Sequence, residues 1–193
     1  MRKLRVLCVI VIALLSLSLF SCSTSAIWQS QSDDAQKIDV DSEKTNSSER
    51  YVVYVALNAS GERIFASDNS TAATAYAVVG YTGLVAELVI PATYKDTSIN
   101  ANALPVTKVI AASSYSAYKC SRNGVAYTGD DARLANQTVV TSIVFGENVT
   151  YVGAGVCAGM VNLTTVYFDH VQAGVTATDA FLGISPTITY KSD

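Results

Sequence analysis

The apolar residues of this chain follow three patterns. From residue 6 to 20 they run almost without a break. From 23 to 50 they are scattered singly among Ser, Asp, Gln, Lys, Asn and Glu. From Tyr51 onward they return in short clusters separated by Gly, Asn, Asp, Ser or Pro. Those clusters read as strands. YVVYVAL (51–57), the turn Asn58-Ala59-Ser60-Gly61 and Arg63-Ile64-Phe65 predict two strands joined by a Gly-containing turn, and 76–79 and 84–90 predict two more, the last closed by Pro91. Long amphipathic helical periodicity is absent, and Val, Thr and Tyr, which suit a pleated surface, are abundant. The expected class is mainly β.

A second rhythm lies over the first. The strand-like tails that begin at Ile143, Val166 and Ile188 start 23 and then 22 positions apart, and the intervening turns VCAGM (156–160) and AFLGI (180–184) are offset by 24. A period of that length is one rung of a solenoid, in which each unit is too small to bury its own apolar side and must stack on its neighbours. An earlier rung is visible as LVIP (88–91) and LPVTKV (104–109), after which the spacing breaks at an insertion, 121–137. In the stretch NVTYVGAGVCAGMVNLTTVYF (148–168), Val149, Val152, Val156, Leu163 and Val166 are expected to point inward, while Thr165, Tyr167 and Asp169 line an outer face.

The series LVIPATY, LPVTKV, VTSIVFGENVTYVGAGVCAGMVNLTTVYF and DAFLG, preceded by AYAVVGYTG (75–83), resembles the BspA-type leucine-rich repeat family over residues 75–193. Cys157 stands where that family usually carries Phe, Met160 and Ile184 where it often carries Cys, and the turn at 174–179 is compressed. The resemblance implies a short leucine-rich-repeat solenoid of about four irregular rungs, with 51–74 as a small N-terminal β hairpin region. It also implies protein binding along an exposed parallel sheet, and adhesion.

The first apolar run changes the picture of where the molecule works. Arg2, Lys3 and Arg5 precede it, it is shorter than the roughly 20 residues a membrane-spanning helix needs, and it leads into Leu19-Phe20-Ser21-Cys22. Residues 1–21 therefore read as a signal peptide, and the tetrapeptide resembles a bacterial lipobox, with Cys22 as the acylated residue. Several acyl chains hold a protein firmly at a membrane. Residues 22–50 then form a lipid-anchored flexible tether with a random-coil span of about 30 Å. Loss of the leader takes the 13 basic residues to 10 against 16 acidic ones, a net charge of −6. A nucleic-acid partner, which requires a basic face, is excluded on that balance.

Chemistry-bearing constellations are sparse. Cys120 and Cys157 remain after the leader and Cys22 are set aside; they can pair as a disulfide or serve as two small core residues. No Cys/His metal spacing and no D-x-D-x-D calcium loop is present, so neither a metal nor a cofactor is expected. His170 beside Asp169 lacks a Gly-x-Ser-x-Gly elbow and reads as a solvated turn; no catalytic residue is assigned and the chain is expected not to be an enzyme. Asp33-Asp34 and Asp130-Asp131 read as loop charges. Tyr115, Tyr118 and Tyr127 crowd around the insertion and, as Tyr favours interfaces, join Thr165, Tyr167 and Asp169 as the candidate binding face. The Asn-x-Ser/Thr triplets at Asn46, Asn58, Asn69, Asn136, Asn148 and Asn162 read as turn residues. The expectation is a lipid-anchored cell-envelope protein, exposed at the surface and bound to the membrane through acylated Cys22, whose solenoid binds an extracellular or envelope protein, or a glycan. The alternative is a structural or accessory subunit of an envelope complex with no soluble ligand.

Overall fold

The computed structural model describes residues 48–193. The expected signal peptide, Cys22 and nearly all of the tether lie outside these residues. The regular elements of the described part are all β-strands apart from three single 3-10 turns, at Glu49–Tyr51, Tyr115–Ala117 and Gln172–Gly174, and the strands are joined by long irregular segments.

Two sheets form it. The first is mixed and seven-stranded: β1 (Val52–Leu57) pairs antiparallel with β2 (Ala75–Tyr81) on one side and with β6 (Cys120–Arg122) on the other. Beyond β2 the sheet continues in parallel with β5 (Leu104–Val109), which meets β4 (Thr93–Tyr94) at its start and β9 (Tyr151–Val152) at its end; β7 (Val125–Ala126) closes the other edge against β6. The second sheet is a four-stranded, wholly parallel ladder in the order β11 (Thr187–Tyr190), β10 (Thr165–Phe168), β8 (Ser142–Phe145), β3 (Glu87–Ile90).

Both faces of β1 are buried, and its unbroken apolar sequence VVYVAL follows from that: a strand with no wet side has no place for polar alternation. Val52, Tyr54 and Ala56 enter the larger core together with Tyr76 and Val78 of β2 and the inward residues of the ladder. Val53, Val55 and Leu57 enter a second core with Ala77, Val79, Tyr115, Cys120, Tyr127 and Ala132. A bulge between Val53 and Tyr54, where Gly80 and Val78 are their partners, leaves Val79 as the extra residue and returns Tyr81 to the larger core. A Cβ at Gly80 would lie 2.5 Å from the carbonyl oxygen of Ala132, so the segment after β7 packs directly on the strand backbone.

The excursion expected at 121–137 is thus longer and more integral than an inserted loop. It departs after Val109 and returns at Ser142, contributes β6 and β7 to the mixed sheet, and covers that sheet's second face. The region 51–74 likewise supplies a central strand whose partners are β2 and β6. Arg63 and Phe65 make only isolated bridges, to Leu57 and Tyr118, although the turn between β1 and Arg63 forms as expected, with Asn58 accepting from the backbone of Ser60 and Glu62. Long-range pairing of β1 with two strands outcompetes the local hairpin because it buries both faces of an apolar strand.

The ladder is in register. Leu88, Ile143, Val166 and Ile188 form one row and Ile90, Phe145, Phe168 and Tyr190 the next. Phe145, Phe168 and Tyr190 stack in parallel, with centroids 4.6 and 5.2 Å apart. Val149, Val152, Val156, Leu163 and Val166 are all buried.

Candidate binding face

Along β8 and β10 the burial alternates strictly, and this alternation builds the site. One side of each strand is committed to the core, so the other is displayed. Thr165 lies between Ser142 and Thr187 across the ladder, with Glu87 completing the row, and Tyr167 lies between Val144 and Thr189, with Val89 beyond. Tyr167 is 37% exposed. Beside the hydroxyl row sits a small apolar strip of Val89, Val144 and Tyr167, the mixture that a protein-binding surface uses.

Successive segments beside the face are tied to one another by hydrogen bonds. The amide of Asn162 donates to the carbonyl of Thr138 at 2.6 Å, Thr164 donates its hydroxyl to Thr141 at 3.1 Å, and Thr141 does the same to Ala86 at 3.3 Å. Asn148 donates to Ala92 at 3.0 Å across the excursion. These asparagines are structural ties between neighbouring segments, and Asn58 is a turn former.

At the end of the face, Asp169 is half-buried and pairs with Lys191 at 3.1 Å. That hydrogen bond, with the negative charges of Asp169 and Glu147 nearby, raises the ammonium pKa. One edge of the ladder is covered: the hydroxyl of Ser48 accepts from the backbone N–H of Val89 at 3.0 Å. At the other, β11 leaves Ile188 37% and the preceding Leu182 63% exposed.

The tyrosines expected on the binding face divide differently. Tyr115 and Tyr127 are buried, because 110–141 folds back over the mixed sheet and uses them as its inner lining. The hydroxyl of Tyr115 donates to the carbonyl of Ala132 and that of Tyr127 to Asp131. Burial, reinforced by Asp131, pushes the Tyr127 phenol up to about 12. Tyr118 alone stays partly open, half-buried, stacked on Phe65 at 5.0 Å and covered by the Arg63 guanidinium at 4.0 Å.

Cys120 and Cys157 are both free and buried. The candidate disulfide between them is not formed, because Cys120 opposes Val55 and belongs to the second core while Cys157 belongs to the larger one. Burial pushes the two thiols up to about 11 and about 12. His170 is half-buried against Gly174, with Nδ1 3.0 Å from the carbonyl of Val171. Asp130 and Asp131 are exposed. The ladder neighbours Ser142, Val144, Thr187 and Thr189 went unassigned from sequence, although the 23- and 22-residue offsets from Thr165 and Tyr167 point to them. Asp96, fully buried in the turn after β4, holds that turn by accepting from the backbone N–H and hydroxyl of Ser98.

No protein-family model and no curated protein matches this chain. Among solved structures the chain is similar to a leucine-rich cell surface protein from Faecalibacterium prausnitzii A2-165, with 18% identity and a TM-score of 0.39. The match covers 76% of this chain and 29% of that one, so this chain spans under a third of the length of the protein it matches.

Proposed function

We propose that residues 75–193 form a short leucine-rich-repeat solenoid of the BspA-like kind, about four irregular rungs long, carried at the bacterial cell surface on an acylated Cys22. In this reading the chain is a binding protein, not an enzyme, and it engages an extracellular or envelope protein, as in adhesion, through the outer face of the parallel ladder. The observation that supports the reading best is the in-register, one-sided burial of β3, β8 and β10, which leaves Thr165, Tyr167 and their row neighbours displayed on a rigid support.

Two experiments test it. Protease shaving of intact producing cells, following a tag on Asp193, is expected to remove the tag, with a Cys22→Ala variant released to the medium. Protection of the tag until the envelope is broken overturns surface display. Labelled mature chain is expected to bind neighbouring cells saturably, with binding abolished by trypsin treatment of those cells and by Thr165→Ala combined with Tyr167→Ser. Binding that survives the double variant removes the ladder face from the account. The alternative, an accessory subunit held in an envelope complex, is favoured by the open β11 edge with Ile188 and Leu182 exposed. It predicts co-purification from membranes at fixed stoichiometry, lost on Ile188→Lys.

A further inference from the structure

Between β6 and β7 the chain reverses through two residues. Arg122 pairs with Val125, so Asn123 and Gly124 form the whole loop, with φ of 51° and 72°. Positive φ at both positions is the type I′ hairpin turn, whose twist matches that of its strands and for which Asn-Gly is a favoured sequence. Both residues are exposed, and a Cβ built on Gly124 would meet nothing within 4 Å, so the loop stands open to water.

The pair that suits this turn is also a pair that reacts with itself. The side-chain amide carbon of an Asn lies within reach of the backbone nitrogen of the next residue, and a five-membered imide closes when that nitrogen attacks. A following Gly, having no Cβ, leaves the approach unhindered. Of the chain's asparagines only Asn123 precedes Gly; Asn69 and Asn102, which are also exposed, precede Ser70 and Ala103.

The fold adds a restraint. The backbone N–H of Gly124, whose nitrogen is the attacking atom, donates to the Tyr94 hydroxyl at 2.7 Å. That hydroxyl also accepts from Ser121 at 3.2 Å, and the Tyr94 ring stacks on Tyr54 at 3.8 Å and stands edge-on to Tyr76 at 5.0 Å, both of which are fully buried. Tyr94 therefore ties the loop to the larger core. To attack, the Gly124 nitrogen must give up the proton held in this bond, and the loop must open enough to bring it onto the amide carbon.

We propose that Asn123 is a self-modification site, converting to isoaspartate and aspartate through a cyclic imide at a rate restrained by the bond from Gly124 to Tyr94. The Gly124 nitrogen bonds to Cγ of Asn123, the Cγ–Nδ2 bond breaks, and ammonia leaves with the proton lost from Gly124. Water then adds to one of the two imide carbonyls; its hydroxyl stays on that carbon as a carboxyl group and its other proton returns to the Gly124 nitrogen. Opening at the backbone carbonyl of Asn123 routes the chain through the side chain and gives isoaspartate, whereas opening at Cγ gives aspartate. The net change is amide plus water to carboxylate plus ammonium. Isoaspartate adds a methylene to a loop that has no slack and a negative charge at its tip, so Gly124 leaves Tyr94 and the hairpin loosens. The site lies on the mixed sheet, and its test does not depend on the ladder face.

The test holds the mature chain with Cys22→Ala folded at mildly alkaline pH for weeks, with sampling by peptide mass mapping and isoaspartate methyltransferase labelling. Amide-to-acid conversion is expected at Asn123 several-fold faster than at Asn69 or Asn102. Tyr94→Phe keeps the ring stack and removes the acceptor, so it is expected to speed conversion several-fold, and unfolding the parent in urea to speed it further. Hydrogen exchange in 120–126 is expected to accelerate with age in the parent and not in Asn123→Ser. Conversion at Asn123 no faster than at Asn69 and Asn102 overturns the site. An unchanged rate in Tyr94→Phe or, should that variant not fold, a folded-state rate equal to the rate in urea overturns the restraint, and exchange that does not change with age overturns the loosening.

Discussion

β1 and β10 are both short, apolar and flanked by strands on each side, yet one reads VVYVAL with every residue buried and the other TVYF with every second residue exposed. The difference lies in what covers the sheets. Over the mixed sheet the chain spends 110–141 on a cover, packed so closely that Gly80 admits no side chain, and the strand beneath turns apolar on both sides. Over the outside of the ladder it spends none of the described residues, and Thr and Tyr occupy the free positions. Closing a sheet on both faces makes a support; leaving one face open makes a surface that can meet a partner.

The comparison breaks most severely if the ladder's inner stack is removed. Phe168 is fully buried between Phe145 and Tyr190, so Phe168→Ala is expected to cost about 3–5 kcal/mol, measured by urea denaturation. A loss near that of a surface substitution would mean the stack contributes little. Next in size, Gly80→Ala drives a methyl into the Ala132 carbonyl and is expected to cost about 1–3 kcal/mol. Hydrogen exchange should then accelerate in 110–137 before it does in β8 and β10; equal acceleration everywhere would mean that cover and ladder open as one unit.

The thiols sharpen the distinction between the two cores. Burial raises both pKa values from 9.0, to about 11 for Cys120 and about 12 for Cys157, so the folded state holds these protons more tightly than the unfolded chain does. Their contribution is fully present below pH 9 and is lost as pH rises toward the folded values, the loss reaching about 1.4 kcal/mol per thiol by pH 10. Replacing both by Ala should flatten that decline, read as unfolding midpoint against pH; an unchanged slope would assign the decline to other groups. The smallest effect belongs to the open face. Tyr167→Ser is expected to change stability by no more than about 0.5 kcal/mol while weakening partner binding, and a large loss of stability would show that the face is not free.

Much of this contrast was legible in sequence. The offsets of 23 and 22 residues placed Ile143, Val166 and Ile188 in one row, and alternation in TVYF separated Val166 from Thr165 and Tyr167. The unbroken VVYVAL predicts only one strand of a hairpin, and its burial on both faces emerges from the fold. What covers it was not readable: Tyr115 and Tyr127 have the composition of an exposed aromatic patch, and only long-range folding of 110–141 turns them inward. The same holds for Cys120 and Cys157, whose assignment to separate cores follows from the pairing of Cys120 with Val55, a contact between residues 65 positions apart.

The measurement that tests the central claim most directly is site-specific photo-cross-linking on living producing cells and their neighbours, with a photoreactive phenylalanine at Tyr167 on the open face and, as a control, at Val125 on β7, which is 68% exposed. The account predicts a discrete protein adduct from position 167 and none from position 125. Adducts from 125 alone, or no adduct from 167, would contradict it.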